Sequence, residues 1–322
     1  MTIPITVLMS VYNGERFLKE SISSVLNQSF TEFEFIIIND GSTDNSINII
    51  REFSFIDKRI YIINKQNTGL TNSLNKGIEM ANGKWIARVD HDDVCDSKRL
   101  EIQYSYAILK KSTVLIGSDF ATIDEKGSQL KIYKYPSDHN QLKKLLLKKK
   151  FSFPHSSYFI ETKSIKKING YNERMKRSQD YDLCLRLSEI GQISSIKKPL
   201  VHIRIHKNQV SNEDNGMRQL VDTRVAFVGY LLRQKKLEDP TSNKSSDTLF
   251  KEFYNFIKKD PNLNKLFAYR LFVKELKLNI LNFNFIKVLI LLTKSINFVF
   301  YYFFFHSINQ NMEIQILNKW IK

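Results

Sequence analysis

Between Arg88 and Asp96 the chain reads RVDHDDVCD, which places Asp90, Asp92, Asp93 and Asp96 just after the apolar-leaning run GKWIA. Like charges at this spacing repel, so such a knot is costly unless something positive neutralises it. The occupant can be solvent, a lysine or a metal ion. Further polar residues recur where apolar runs stop: Ser10 after ITVLM, and Asn39 and Asp40 after FEFIII. The thiols, Cys95 and Cys184, are too few for a disulfide framework and are asked to do no chemistry.

These residues need elements to position them. From residue 5 to about 118, short β-rich runs alternate with amphipathic stretches, the pattern of βαβ units around a parallel sheet. Ile5–Met9 reads as a strand, and Gly14–Gln28 as a helix with Leu18, Ile22, Val25 and Leu26 on one face. EFEFIIIND is a second strand, followed by a helix through Ile47, Ile50 and Phe53. RIYIIN is a third, followed by the helix TNSLNKGIEMA, and KWIARV is a fourth, ending in Asp90. Ligands bind beyond the carboxyl ends of such strands, where strand order reverses. Ser10, Asn39, Asp40 and Asp90 all lie at such ends. Farther on, the pattern predicts a hairpin at Asp124–Gly127, a basic helix Asp138–Lys150 and a strand SSYFI. A helix Asp180–Ile190 closed by Gly191 and two short strands bracketing Pro199 complete it.

The chain has 322 residues, 42% of them apolar, enough for a sizeable core plus an appendage. Its 49 basic and 33 acidic residues predict an anionic partner. Half of the net charge of +16 falls in residues 221–322. There FIKVLILLTKSINFVFYYFFF, Phe285–Phe305, is interrupted by Lys287 and Lys294, at about 2.5–3.5 kcal/mol for a lysine near a bilayer centre. A surface-lying amphipathic segment fits better than a membrane span, and a helix packed on the rest of the chain with snorkelling lysines is the alternative. The start, MTIPITVLMS, has no secretory pattern, and cytoplasmic residence is expected.

Taken in order, ITVLMSVYNGERFLKESISSVLNQSF, FEFIIINDGSTDNS, NTGLTNSLNKGIEMANGKWIARVDHDD and NGYNERMKRSQDYDLCLRL resemble the inverting glycosyltransferases of family 2. The resemblance covers about residues 3–210. It implies the α/β fold called GT-A, a Rossmann-like, mostly parallel sheet flanked by helices, here with a helical C-terminal extension. The expected division is a catalytic domain at 1–220 (nucleotide-sugar half about 1–118, acceptor half about 119–220) and a basic, aromatic-rich extension at 221–322.

The resemblance also implies roles. DHDD matches the family's Asp-x-Asp motif, so Asp90 and Asp92, with Asp93 beside them, are expected to hold Mg2+ or Mn2+ against the donor diphosphate. In an extended segment Asp90 and Asp92 face one way and His91 the other; if the alternation breaks, Asp93 takes the metal. Asp96 reads as a cap-region acid. Ser10, Tyr12 and Asp40 map to nucleoside recognition, with Tyr12 able to stack on a base or simply to pack, and Asp40 able to accept from the nucleoside or to initiate a turn. Asn67, Gly69 and Asn75 match the nucleotide-sugar pattern, although Asn75 reads equally as a buried helix polar group. Asp180 maps to the base that takes the acceptor proton, in a motif whose preceding acid is Gln179 here. Asp182 reads as helix electrostatics. His206 maps near the metal or diphosphate, Arg204 is able to pair with phosphate, and His155 is a candidate for the acceptor side.

The expected activity is transfer of a sugar, UDP-linked, to a lipid-linked or saccharide acceptor in bacterial surface polysaccharide assembly, at an anionic membrane surface. Gln179 motivates an alternative, a nucleotide-sugar-binding module without turnover. Nucleic acid is the third class the charge suggests, but no recognised nucleic-acid motif is present, and the basic residues of the tail are interleaved with bulky apolar ones.

Overall fold

The computed structural model describes residues 3–149, 153–206, 216–242, 245–261 and 312–321. The chain forms two compact units, Met1–Gln209 and Val210–Lys322. The first unit begins β1 (Ile5–Val11), α1 (Glu15–Leu26), β2 (Phe33–Asp40), α2 (Ser46–Ile56), β3 (Ile60–Lys65), α3 (Leu70–Met80) and β4 (Trp85–Asp90). Every residue of β1 and β2 is buried, as expected of parallel strands covered on both faces. On α1, Phe17, Leu18, Ser21, Ile22 and Val25 turn inward, close to the face the periodicity predicts.

Then follow β5 (Val94–Cys95), α4 (Arg99–Leu109), β6 (Thr113–Ile123), β7 (Gln129–Tyr133), α5 (His139–Leu147), a 3-10 turn at His155–Ser157, β8 (Phe159–Glu161), α6 (Thr162–Lys167), α7 (Gln179–Ile190) and β9 (Gln192–Arg204). The strands form one sheet in the order β3-β2-β1-β4-β8-β6-β9-β5, with β7 paired to β6. β1 pairs in parallel with β2 on one side and with β4 on the other. The chain order therefore reverses at β1, and a crevice opens at the carboxyl ends of β1 and β4. The register sets Ser10 beside Asp90 across that crevice and Val11 beside Asn39. The core beneath joins Ile5, Val7 and Met9 of β1 to Phe35 and Ile37 of β2, Ala87 and Val89 of β4, and Ile22 of α1.

Three expectations change. SSYFI is half turn, half strand, because His155–Ser157 forms the 3-10 turn before β8. The two strands around Pro199 are one strand, β9. Ile196 pairs with Ser118 and Pro199 with Asp119, so Lys197 and Lys198 form a bulge in which proline's missing N–H costs no ladder bond. The short strand β5, just past the acidic cluster, has no counterpart in the sequence pattern.

In the second unit, α8 (Met217–Gln234), α9 (Asp247–Lys258) and the helix Met312–Ile321 pack together, with the Trp320 ring 5.1 Å from Phe253 and 5.3 Å from Phe256. The apolar run Phe285–Phe305 lies outside the described residues, among which no helix is long and apolar enough to cross a membrane.

The entry to β4 depends on buried Glu34, whose carboxylate accepts from the Thr6 hydroxyl, Asn82 N (2.7 Å), Asn82 Nδ2 (3.1 Å) and Gly83 N (3.3 Å). Glu34→Ala orphans these donors and is expected to lower unfolding stability by about 3 kcal/mol, read from urea denaturation. Loss of well under about 1 kcal/mol would show that the β4 entry is held otherwise.

Candidate active site

β4 stops at Asp90 and the chain turns at His91 and Asp92. The strand alternation therefore breaks inside the motif. His91 lies against Gly14, where a Cβ would come within 2.4 Å of its ring. Asp90 and Asp93 instead converge: the Ser156 hydroxyl is bonded to Asp90 Oδ2 (2.7 Å) and to Asp93 Oδ2. Asp93 Oδ1 accepts from Arg204 N at 3.0 Å, and Asp92 Oδ2 meets His206 Nε2 at 2.9 Å. The carbonyl of Asp90 is tied to α1 by the Ser21 hydroxyl, 2.8 Å away.

The first positive occupant of this cluster is the chain's own Arg88. Its buried guanidinium pairs with Asp90 Oδ2 and donates to Ser156 Oγ at 3.3 Å. Burial pushes the Asp90 carboxyl up, but the charge and hydrogen bond of Arg88 outweigh it and hold Asp90 well below the usual carboxylate range. Asp93 has no such partner. Burial, then the charges of Asp92 and Asp90, push it well above that range. Asp90 and Asp93 thus share one hydroxyl, and Asp93 lacks the guanidinium that balances Asp90. Among the described residues, no three His, Cys, Asp or Glu side chains are arranged to hold a metal ion by themselves. Mg2+ and Mn2+ do not need that: one or two carboxylates suffice when diphosphate oxygens and water complete the shell. The carboxylate oxygens of Asp92 and Asp93 are hard ligands that fit such an ion.

On the nucleotide side the β1–α1 and β2–α2 loops clasp each other. Asn13 Oδ1 accepts from Thr43 N (2.8 Å), the Ser46 hydroxyl from Gly14 N (2.9 Å) and Glu15 Oε2 from Asn45 N (2.8 Å). Ser10 is buried in β1, whereas Tyr12, 49% exposed, stands out from the loop that follows. Asp40 turns inward: it pairs with Lys65 and accepts from Thr68 N and Gly69 N, each at 3.0 Å. Gly69, at φ +93°, starts α3. Gly41 has φ +73°, and a Cβ there would lie 2.6 Å from Asn67 N, so the turn after β2 and exposed Asn67 are packed backbone to backbone. Asn75 donates to the Tyr171 carbonyl and to Glu173 Oε1, each at 2.9 Å, and accepts from Tyr171 N at 2.7 Å. Its amide binds α3 to the loop leading to α7, the structural role the sequence left open.

Asp180 lies half-buried in the first turn of α7, which follows Ser178 at φ +53°. Its carbonyl accepts from the Tyr158 hydroxyl at 3.1 Å. Gln179 keeps its amide oxygen buried with no hydrogen-bond partner among the described residues, so a glutamate there would bury a charge. Asp182 is buried against Arg186 at 2.7 Å, consistent with a structural role. His155 Nε2 meets the Tyr171 hydroxyl at 2.6 Å, and burial, then Arg88, pushes its imidazole well down against the pull of Asp90. Arg204 is not placed to hold phosphate: its buried guanidinium pairs with Glu20 (2.6 Å) and donates to the carbonyls of Asp92, Asp124 and Glu125.

Sequence reasoning missed Arg88, Ser156 and Tyr158. Arg88 was findable, since two positions before Asp90 on a strand it shares the acid's face. Ser156 and Tyr158 carry no local signal.

Asp40 supplies the pH test. Burial raises its carboxyl, but the Lys65 hydrogen bond, with others, brings it below its ordinary 3.8. A depressed folded value contributes stability above the unfolded pKa and loses it as pH falls through the folded one. Asp40→Asn is expected to cost about 2 kcal/mol at pH 7, an amount that shrinks below about pH 4. A difference between the proteins that stays constant from pH 7 to pH 3 in urea titrations would contradict the ion pair's contribution.

The comparisons with known proteins agree with this geometry. A sequence model of the family described as glycosyl transferase family 2 matches residues 6–168. An uncharacterized glycosyltransferase of Haemophilus influenzae is 35% identical over 223 residues, covering 66% of this chain and 68% of its own. The O-antigen biosynthesis glycosyltransferase WbnJ of Escherichia coli is 34% identical, over 63% of this chain and 80% of its own. Among solved structures, S. aureus TarS 1–349 in complex with UDP-GlcNAc gives a TM-score of 0.61 at 15% identity, over 84% of this chain and 73% of that one. The mannosyltransferase PcManGT from Pyrobaculum calidifontis in complex with GDP-Man and Mn2+ gives 0.53 at 13% identity, over 83% of this chain and 73% of that one. At those identities the structural likeness is one of fold, GT-A. With acids at the carboxyl ends of its central strands, this fold and half its length matched by the family, the chain belongs to glycosyltransferase family 2.

Proposed function

We propose that the protein is an inverting, metal-dependent glycosyltransferase that moves a hexosyl or N-acetylhexosaminyl group from a UDP-linked donor to an acceptor hydroxyl. The observation that carries the proposal is the opposition of two acidic sites in one unit: the Asp90–Asp93 cluster at the sheet's switch point and Asp180 at the start of α7. Residues 1–220 are the catalytic domain, with the donor half to about 118, and 221–322 the extension.

The donor nucleoside lies against Ser10, Tyr12 and the loop of Asn67 and Gly69, with Tyr12 free to stack on the base and Asp40 holding the loop in place. Asp92 and Asp93, with His206 fixing Asp92, hold Mg2+ or Mn2+, and Asp90 shares the cluster while its own charge is balanced by Arg88. The bound ion supplies charge stabilisation for the leaving diphosphate. Asp180 accepts the acceptor's proton as the oxygen attacks the anomeric carbon; a single displacement turns an α-linked donor into a β-glycoside. The UDP-GlcNAc bound by TarS and the GDP-Man and Mn2+ bound by PcManGT support donor and metal as classes.

The acceptor is a lipid-linked or saccharide hydroxyl in bacterial surface polysaccharide assembly, in line with the O-antigen naming of WbnJ. The basic extension holds the protein at the cytoplasmic face of the membrane through anionic lipid, at roughly 1 kcal/mol per basic residue near the leaflet.

A panel of UDP- and GDP-sugars, scored by nucleotide release, is expected to show turnover with one donor and its abolition by EDTA. Asp180→Asn is expected to lower kcat by at least about a thousandfold with donor binding retained. Donor binding without turnover under any acceptor would instead make the chain a binding module. Sedimentation with phosphatidylglycerol vesicles is expected at low salt and is lost at high salt; equal binding to neutral vesicles would remove the electrostatic attachment.

A further inference from the structure

The segment His155–Tyr158 touches both acidic parts of the candidate site. His155 meets Tyr171, Ser156 meets Asp90 and Asp93, and Tyr158 meets Asp180. Tyr158 differs from its neighbours in working in two directions. Its carbonyl accepts from Arg88 N at 2.9 Å, two residues before Asp90 on β4. Arg99, fully buried, clips the same junction by donating from Nη2 to the carbonyls of Arg88 (2.9 Å) and Tyr158 (3.3 Å). At its other end the side chain crosses to α7, where the hydroxyl lies 3.1 Å from the Asp180 carbonyl oxygen and 3.1 Å from Cys184 Sγ.

The proton accounting of that hydroxyl is definite. A carbonyl oxygen only accepts, so Tyr158 donates to Asp180, and the thiol of Cys184 is left to donate to the phenol oxygen. Burial keeps both groups protonated: it pushes the Tyr158 phenol well up and the Cys184 thiol up to about 12. The ring is fully buried and braced edge-on by Phe153 (6.4 Å) and His155 (5.1 Å). A rigid aromatic strut therefore runs from the backbone of β4, which carries the acidic cluster, to the backbone of the residue proposed as base.

We infer that Tyr158 is a positioning residue for the transfer step, setting through its hydroxyl the place of Asp180 relative to β4. The inference rests on the reading of Asp180 as base. Asp180 already has its helical neighbours to keep α7 folded, so the added bond from Tyr158 is redundant for folding. Its effect falls on where the first turn sits. A displacement of about 1 Å between base and reacting oxygen is enough to cost on the order of a hundredfold in rate.

Tyr158→Phe keeps the ring and its packing and removes the hydroxyl with its bonds to Asp180 and Cys184, and the Cys184 variant separates the two. The expected result is a loss of at least about tenfold in kcat with donor KM, donor Kd by calorimetry and thermal midpoint unchanged. Cys184→Ala leaves the Tyr158–Asp180 bond in place and is expected to stay within about twofold of the parent in kcat. The inference is overturned by unchanged kcat in Tyr158→Phe, by a kcat loss that only tracks falling donor affinity and thermal midpoint, by failure of that variant to fold, or by Cys184→Ala losing as much as Tyr158→Phe. Asp180→Asn measured alongside separates the two ideas. Full turnover there removes the base and with it this role, whereas an inactive Asp180→Asn beside a fully active Tyr158→Phe removes the strut alone.

Discussion

Two carboxylates that share one serine hydroxyl, Asp93 buried and Asp90 partly so, set the terms for this site. Asp90 and Asp93 both close on the Ser156 hydroxyl, and only Asp90 has a guanidinium against it. Burying an ion without a partner is expensive, and a basic side chain balances only one of the pair. Arg88 balances Asp90. It can do so only because β4 runs straight to Asp90, placing residues 88 and 90 on one face, and because Arg99 holds the Arg88 carbonyl while α1 holds that of Asp90. The acid beyond the strand end, Asp93, is the one proposed to meet a cation. The turn at His91 and Asp92 makes this asymmetry, by ending the alternation that would have given Asp90 and Asp92 equal shares.

The same geometry explains why a 3-10 turn precedes β8. Within the turn His155 reaches Tyr171 and Ser156 reaches the acids, and Tyr158, just past it, reaches α7. A regular strand through SSYFI would have sent alternate side chains to opposite faces and left one of these contacts unmade. Asn75 closes the circuit by fixing the loop of Tyr171 to α3, whose first residues are in turn placed by Asp40. α3, the loop of Tyr171 and the β2–α2 turn are thus linked through polar contacts.

Much of the fold was legible because buried parallel strands have to read as unbroken apolar runs, and β1 and β2 do. The acids were legible because four in seven residues is electrostatically conspicuous. What stayed hidden was of two kinds. Ser156 lies 66 and 63 positions from the acids it serves, and a serine in a loop announces nothing about its partner. Asp40 was legible as a residue type but not in direction: its carboxylate is consumed by Lys65 and two backbone amides, a demand of the loop that no motif spacing encodes. Pro199 misled for a similar reason, since proline argues against a strand interior unless a bulge, invisible in composition, takes the missing bond.

Gln179 shows how charge is distributed between the two halves. Asp182 in the same turn is neutralised by Arg186, and a glutamate at position 179 would add a buried charge where the glutamine oxygen already has no hydrogen-bond partner among the described residues. Neutrality at 179 leaves the partly exposed Asp180 as the acid of that turn that solvent can reach. For the base proposed there, a carboxylate suffices when it is within reach of the proton it takes. The donor side has the opposite requirement. In the proposed reaction the donor diphosphate approaches carboxylates, and a cation between them offsets the repulsion. The cation in the cluster, Arg88, is already engaged by Asp90.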